Sequence, residues 1–152
     1  KRLKPGERKE LVSSIDLVPT MLAAAGVGTP DKFPGLNLLA NLQTGAAIKR
    51  AAIFGESFAH DIADIEKPEA SLLFRWCIAD RWKLLLTYDG EVNRYQSTHP
   101  RTERRPQLFD LTEDPHEKKN RAAEHPEIVV QLAEKIGDWY PVTEREVLTR
   151  FK

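Results

Sequence analysis

The apolar positions of this chain change period from helix to strand and back to helix along its length. Within residues 11–26, Ile15, Val18 and Leu22 fall at helical spacing, and Ala23, Ala24 and Ala25 are strong helix formers. Gly26 suits the left-handed residue just past a helix end. Ser13 and Ser14 are good N-caps, while Pro19 is acceptable only near the first turn. Together they predict a helix over about residues 14–25. Thr29-Pro30, Phe33-Pro34-Gly35 and Thr44-Gly45 then mark a loop region with a short helical turn near Leu38 and Leu42.

The period shortens in the middle of the chain. Residues 51–58 form one candidate strand. Leu72, Phe74, Trp76 and Ile78 alternate along a second, with Arg75 off that apolar row. Trp82, Leu84, Leu86 and Tyr88 alternate along a third, just past an Asp80-Arg81 turn that lacks the usual hairpin glycine. Asp89-Gly90 closes it. Residues 91–106 have no apolar period and hold Arg94, His99, Arg101, Arg104 and Arg105, which predicts an exposed loop. Residues 107–111 return to the sheet, with Phe109 and Leu111 alternating against Leu108 and Asp110. Asp114-Pro115-His116-Glu117 has the spacing of a capping box leading into a helical turn. The strongest helix begins at Pro126 and ends at Pro141. Its Ile128, Val129, Leu132, Ile136 and Trp139 share one stripe of core positions.

Composition narrows the class. A chain of 152 residues can build one domain with a real core. Its 23 Lys plus Arg balance 23 Asp plus Glu, so there is no electrostatic pull toward nucleic acid or an anionic membrane. No apolar run approaches a membrane span. A single cysteine, Cys77, cannot make an internal disulfide. No segment reads as a signal peptide, and the basic lead-in over residues 1–10 reads like a cut inside a longer protein.

Several motifs resemble one family, in family order. Leu108-Phe109-Asp110-Leu111, then Asp114-Pro115, Glu117 and Asn120, is similar to a stretch near the C-terminus of sulfatases. Ser13 to Gly26, with Asp16-Leu17, Pro19-Thr20 and the small-residue run, resembles the family's Ser-x-x-Asp-Leu-x-Pro-Thr helix. Gly35-Leu36-Asn37-Leu38 resembles its Gly-x-Ser-Leu loop, with Asn37 in place of Ser. Gly55-Glu56-Ser57 with His60, then Arg81-Trp82-Lys83-Leu84, resembles the strand carrying a substrate-facing histidine and the later Arg-x-Lys-Leu strand.

The resemblance implies the alkaline phosphatase superfamily, hydrolysis of sulfate esters of sugars, a formylglycine nucleophile and a calcium ion. It also implies that the nucleophile and metal ligands precede the segment matching Leu11. This chain would then be the C-terminal portion, inactive alone, with the N-terminal catalytic domain as its missing partner and a sulfated saccharide as substrate. No nucleic-acid or membrane partner is expected, and the family suggests a periplasmic or secreted location. Cys77-Ile78-Ala79-Asp80-Arg81 is a near match to the nucleophile motif, but it lies mid-strand and lacks the Ser. A buried structural thiol is the plainer reading.

Two residues stand as candidate substrate contacts. His60 follows a strand and can lean into a cleft; its plain alternative is an exposed loop histidine. Arg75 could meet an anionic substrate or make a cross-strand ion pair. The arginines of residues 94–105 could hold a polyanionic glycan or simply solvate the surface. Asp110, Glu113, Asp114 and Glu117 do not match a calcium loop.

The fold expected is α+β: a four-stranded antiparallel sheet with the C-terminal helix packed on it. Residues 1–50 would end the large α/β sulfatase domain, and residues 51–152 would form the C-terminal subdomain. The helix in the first segment would expose Ile15, Leu17, Val18, Met21 and Leu22 without the rest of that domain. The rival functions are a related phosphate or phosphonate ester hydrolase and a non-catalytic binding module.

Overall fold

The computed structural model describes residues 3, 6–30, 32–60, 64–88 and 105–142. The backbone separates into two units, Lys1–Ile53 and Phe54–Lys152.

In the first unit a 3-10 turn, Ser14–Asp16, runs directly into helix α1, Leu17–Ala24. Pro19 lies in the first turn of α1, where its missing N–H breaks no helical bond. Gly26 at φ +72° then ends the helix. A short helix, α2, spans Leu39–Thr44. Asp16 is the hub of this unit. Its carboxylate is 1% exposed and accepts bonds from Arg50 Nη1 and Nη2 at 2.6 Å each and from the amides of Leu36 and Ser13 at 2.8 Å. One side chain thereby ties together the helix start, the loop before α2 and the segment leaving the unit. Gly35 belongs to the same junction, since a Cβ there would lie 2.0 Å from the Ile15 carbonyl oxygen. Ile15, Leu17, Val18 and Met21 are exposed, whereas Leu22 is half-buried.

The second unit is a four-stranded antiparallel sheet in the order β1-β2-β3-β4 with a long helix packed on it. Its strands are β1 Ile53–Phe58, β2 Leu72–Ala79, β3 Trp82–Thr87 and β4 Gln107–Asp110. A 3-10 turn, Pro68–Ser71, leads into β2. Asp80-Arg81 makes the β2–β3 hairpin without a glycine, because Asp80 itself takes the left-handed φ of 51°. The register then pairs Ala79 with Trp82, Cys77 with Leu84 and Arg75 with Leu86. Leu84 pairs in turn with Leu108 on β4.

Directly opposed residues share a face, so the register decides which side chains meet helix α3, Pro126–Trp139. Val129, Leu132 and Ile136 of α3 bury against the face carrying Arg75, Cys77, Leu84, Leu86 and Leu108. This corrects the expected facing of β2. Phe74, Trp76 and Ile78 lie on the other face and are half-buried, while the row holding Arg75 and Cys77 is the core row. The strand's own pattern favours the row without Arg75, but the other row also holds Leu73, Cys77 and Ala79, and the hairpin register places that row under α3. Trp76 reaches β1 at Gly55, where any Cβ would come within 2.3 Å of the indole. Trp139 is also less buried than expected: it is 41% exposed and stacks on Phe54 at 5.2 Å between ring centroids.

The segment after β4 departs from the expected capping box. Glu117 has φ 54°, and no helix forms there. Its carboxylate pairs with Lys83 Nζ at 2.7 Å instead of reaching back to Asp114. Asp114 accepts from the amides of Lys118 at 2.6 Å and Lys119 at 2.7 Å, so its side chain closes a turn. Asn120 then substitutes for a fifth strand. Its Oδ1 accepts from the amides of Leu108 at 3.0 Å and Ala122 at 2.9 Å, and its Nδ2 donates to the Pro106 carbonyl at 3.1 Å. The Arg121 amide donates to the Leu108 carbonyl at 2.7 Å. Both backbone groups of Leu108 on the outer edge of β4 are therefore satisfied.

Two stability predictions follow from these contacts. Asp16→Asn leaves Arg50 buried without its charge partner and should weaken the first unit by about 3–5 kcal/mol, read as lost hydrogen-exchange protection at the Leu36 amide. Desolvation pushes the Asp16 carboxyl up, but the Arg50 guanidinium and the Leu36 and Ser13 amides outweigh it and hold it below its ordinary value. The stabilisation is thus present above the unfolded carboxylate value of about 3.9 and fades as pH falls through the lower folded value. In the second unit, Asn120→Ala orphans the Leu108 N–H and should cost about 1–3 kcal/mol. A lowered urea midpoint, followed by the fluorescence of Trp76, Trp82 and Trp139, measures that loss.

Candidate functional site

The end of β1 is where the sheet presents chemistry to solvent. Along β1 the side chains pass from half-buried Ile53, Phe54 and Gly55 to exposed Glu56, Ser57 and Phe58. Ala59 then turns inward and its amide donates to the Ser71 carbonyl at 2.7 Å, pinning the strand end to the 3-10 turn before β2. His60 follows on the exposed side. Beside it, Phe58, Ala59, Asp64, Ile65, Pro68 and Ser71 line a cleft of about 180 Å³ whose walls are almost wholly apolar. The rim is held by local turns. The Asp64 carboxylate accepts from the Glu66 amide at 2.9 Å, and the Ala70 amide donates to the Lys67 carbonyl at 2.9 Å. That His60 follows a strand was legible in the sequence. The cleft was not, since Phe58, Ile65 and Pro68 carry no motif.

The structure does not bring Arg75 to His60's exposed surface. Arg75 is 3% exposed and lies under the C-terminal end of α3. Its Nε donates to the Tyr88 hydroxyl, and its Nη1 donates to the carbonyls of Ile136, at 3.3 Å, and Tyr140. The guanidinium also sits 5.1 Å from the Tyr88 ring centroid and 5.9 Å from that of Tyr140. Its partners are carbonyl and phenolic oxygens, where the cross-strand reading anticipated a carboxylate. The Ile136 carbonyl also accepts from the Tyr140 amide at 3.0 Å, so the guanidinium adds a second bond there and sits at the negative end of the helix dipole.

Cys77 is fully buried opposite Leu84, and burial pushes its thiol up to about 11, against a smaller downward pull from Lys135. A nucleophile must reach its substrate, so the fully buried Cys77 does not fit the formylglycine position. Among the described residues, no group of three or more His, Cys, Asp or Glu side chains is placed to hold a metal ion. The carboxylates after β4 have other partners. Asp110 takes Arg81 Nε at 2.8 Å together with a second bond from Arg81 Nη2. The Arg81 bonds draw the Asp110 carboxyl down, against the opposing effect of burial. Glu113 pairs with Arg81 and Arg121, each at 3.2 Å. Arg105 is exposed, while Asp89, Gly90, Arg94, His99, Arg101 and Arg104 lie outside the described residues.

Known proteins share both sequence and fold with this chain. No protein-family model matches it. Arylsulfatase K of Mus musculus is 31% identical over 126 residues, covering 83% of this chain and 21% of that protein. The N-acetylgalactosamine-6-O-sulfatase of Bacteroides thetaiotaomicron is 27% identical over 139 residues, covering 88% of this chain and 24% of that protein. A solved structure in complex with its substrate, D-glucosamine-2-N,6-O-disulfate, shares the fold with a TM-score of 0.56 and 21% identity, over 82% of this chain and 23% of that one. The chain thus spans about a fifth to a quarter of the length of the curated relatives it matches. Homology along most of its length makes this chain a member of the sulfatase family, within the alkaline phosphatase superfamily.

Proposed function

We infer that this chain is the C-terminal part of a longer sulfatase that hydrolyses sulfate esters of carbohydrates, and that it contributes a wall of the substrate pocket. The observation that carries the reading is His60, exposed at the end of β1 and beside an open cleft, in a chain homologous to sulfatases. An imidazole there can bond a sulfate or hydroxyl oxygen of the substrate while the pinned strand end keeps it in place. The names of the relatives favour this reading over a phosphate or phosphonate ester hydrolase, since both are sulfatases.

In this reading the formylglycine nucleophile and the calcium ion belong to the catalytic domain, to which the first unit would also belong. The exposed Ile15, Leu17, Val18 and Met21 are consistent with a helix made to be covered by more of that domain. Arg75 acts as a positioning residue in this scheme, holding α3 against β2. A periplasmic or secreted location is proposed on the family resemblance alone.

The longer protein should hydrolyse 4-nitrophenyl sulfate, and the 152-residue chain should not. In the longer protein, His60→Ala should remove a bond to a charged group worth about 1.5–3 kcal/mol, lowering kcat/KM roughly ten- to a hundred-fold with an unchanged urea midpoint. Unchanged kinetics in that variant would remove His60 from the pocket, and hydrolysis by the short chain would show that it carries a nucleophile after all.

A further inference from the structure

The C-terminal end of α3 carries exposed apolar surface of a different kind from that of α1. Phe54 covers one side of the Trp139 indole, with ring centroids 5.2 Å apart and planes inclined by 12°, and Tyr140 meets it edge-on at 6.0 Å. Trp139 nevertheless stays 41% exposed. Side chains two apart on a strand share a face, so Glu56 projects from β1 on the same side as Phe54. Glu56 is exposed, and among the described residues no ion pair engages its carboxylate. Asp138, also exposed, adds a second carboxylate next to Trp139 in the chain. The Tyr140 hydroxyl registers the local charge. Burial raises its pKa first, and Glu69 and Glu56 raise it further against the smaller pull of Arg75. The exposed face of α1 is made of Ile15, Leu17, Val18 and Met21. Here one large aromatic side chain stands among carboxylates, the pattern of an anchor residue with a polar rim.

We propose that Trp139, backed by Phe54, and Glu56 form a docking point for an arginine side chain of a partner protein, which stacks on the exposed indole and pairs with the Glu56 carboxylate. An indole attracts a cation through its ring quadrupole. A guanidinium is flat enough to stack and forked enough to bind a carboxylate. An uncharged ring would gain the stacking alone, whereas a cation also gains from the Glu56 and Asp138 charges. The fold already seats one guanidinium at this end of the helix. Arg75 lies 5.9 Å from the Tyr140 ring centroid, is 3% exposed and bonds the carbonyls of Ile136 and Tyr140. Held beneath the helix, it leaves the exposed indole and Glu56 to a second one. The charged rim suits a partner that binds and leaves, since permanently covered faces are more apolar. The docking point shares no residue with the cleft near the end of β1 and does not depend on the sulfatase reading.

The test titrates the 152-residue chain, labelled with nitrogen-15, with the blocked peptide acetyl-Gly-Arg-Gly-amide and with its counterpart carrying uncharged citrulline. Saturable shifts at the Trp139 indole N–H and the Glu56 amide are expected with arginine, at an affinity roughly threefold or more above that for citrulline. Glu56→Gln, at an exposed strand position, should remove most of that preference, and Trp139→Ala should weaken both peptides. Added salt should weaken the arginine peptide alone. Signals that do not move, equal affinity for the two peptides, or an unchanged preference in Glu56→Gln would overturn the proposal. Equally strong shifts of the same signals with cellobiose would overturn it in favour of a sugar platform. Repeating the titration on the longer protein, by calorimetry, should give the same affinity. Loss of binding there would mean that the enzyme's own chain covers the site, and the partner protein would be ruled out.

Discussion

The Arg81–Asp110 clamp is the contact on which the geometry of the sheet depends. Arg81 occupies the β2–β3 turn, and its guanidinium grips the Asp110 carboxylate at the end of β4 through two bonds. Its carbonyl accepts from the Leu111 amide at 2.8 Å, so backbone and side chain hold β4 in the same place. Asp110 also accepts from the Thr112 amide at 3.1 Å, which starts the turn leading to Asn120. The Arg81 side chain is 38% exposed, so solvent screens the charge attraction. The clamp matters chiefly for register. A slip of one residue between β3 and β4 would exchange the faces of every side chain on the moving strand, and the tight Asp80-Arg81 turn fixes β2 against β3 in the same way.

That register has consequences at both ends of the second unit. It places Arg75 and Cys77 under α3, so a guanidinium caps the helix's terminal carbonyls and a thiol fills core space. The same choice sends Trp76 to the opposite face, where Gly55 gives its indole room. Phe54 is left to stack on Trp139. With its first half anchored by these aromatic contacts and its end tied to Ser71, β1 delivers Phe58 and His60 to the surface from a fixed base. The function proposed for this region therefore relies on a scaffold whose charged residues serve as fasteners.

The stretch from Leu108 to Asn120 shows how a family signature can be structural in content. Leu108 is core, Asp110 holds the hairpin, Asp114 closes a turn, Glu117 pairs with Lys83 and Asn120 finishes the sheet edge. Each of these five residues has a mechanical task.

Period and punctuation in the sequence were enough to determine the main helices and strands. The helix after Ser13, the strands around Trp76, Leu84 and Leu108, and the helix beginning at Pro126 follow from local spacing, proline tolerance and capping. That His60 follows a strand was legible for the same reason, whereas its exposure and the burial of its neighbour Ala59 were not. Facing and partnership were decided only by the tertiary structure. β2 carries apolar residues in both rows, Arg75 excepted, so the hairpin decided which row packs under α3. Arg75 reads as a surface cation until the carbonyl end of α3 arrives from 61 residues away to accept its bonds. Asp114 and Glu117 have capping spacing, yet Lys83 and the Lys118 and Lys119 amides claim them first. The cleft is formed by residues with no common motif, and it exists because a turn folds back against a strand end. Local rules weigh neighbours in sequence, whereas these outcomes depend on partners brought together by the fold.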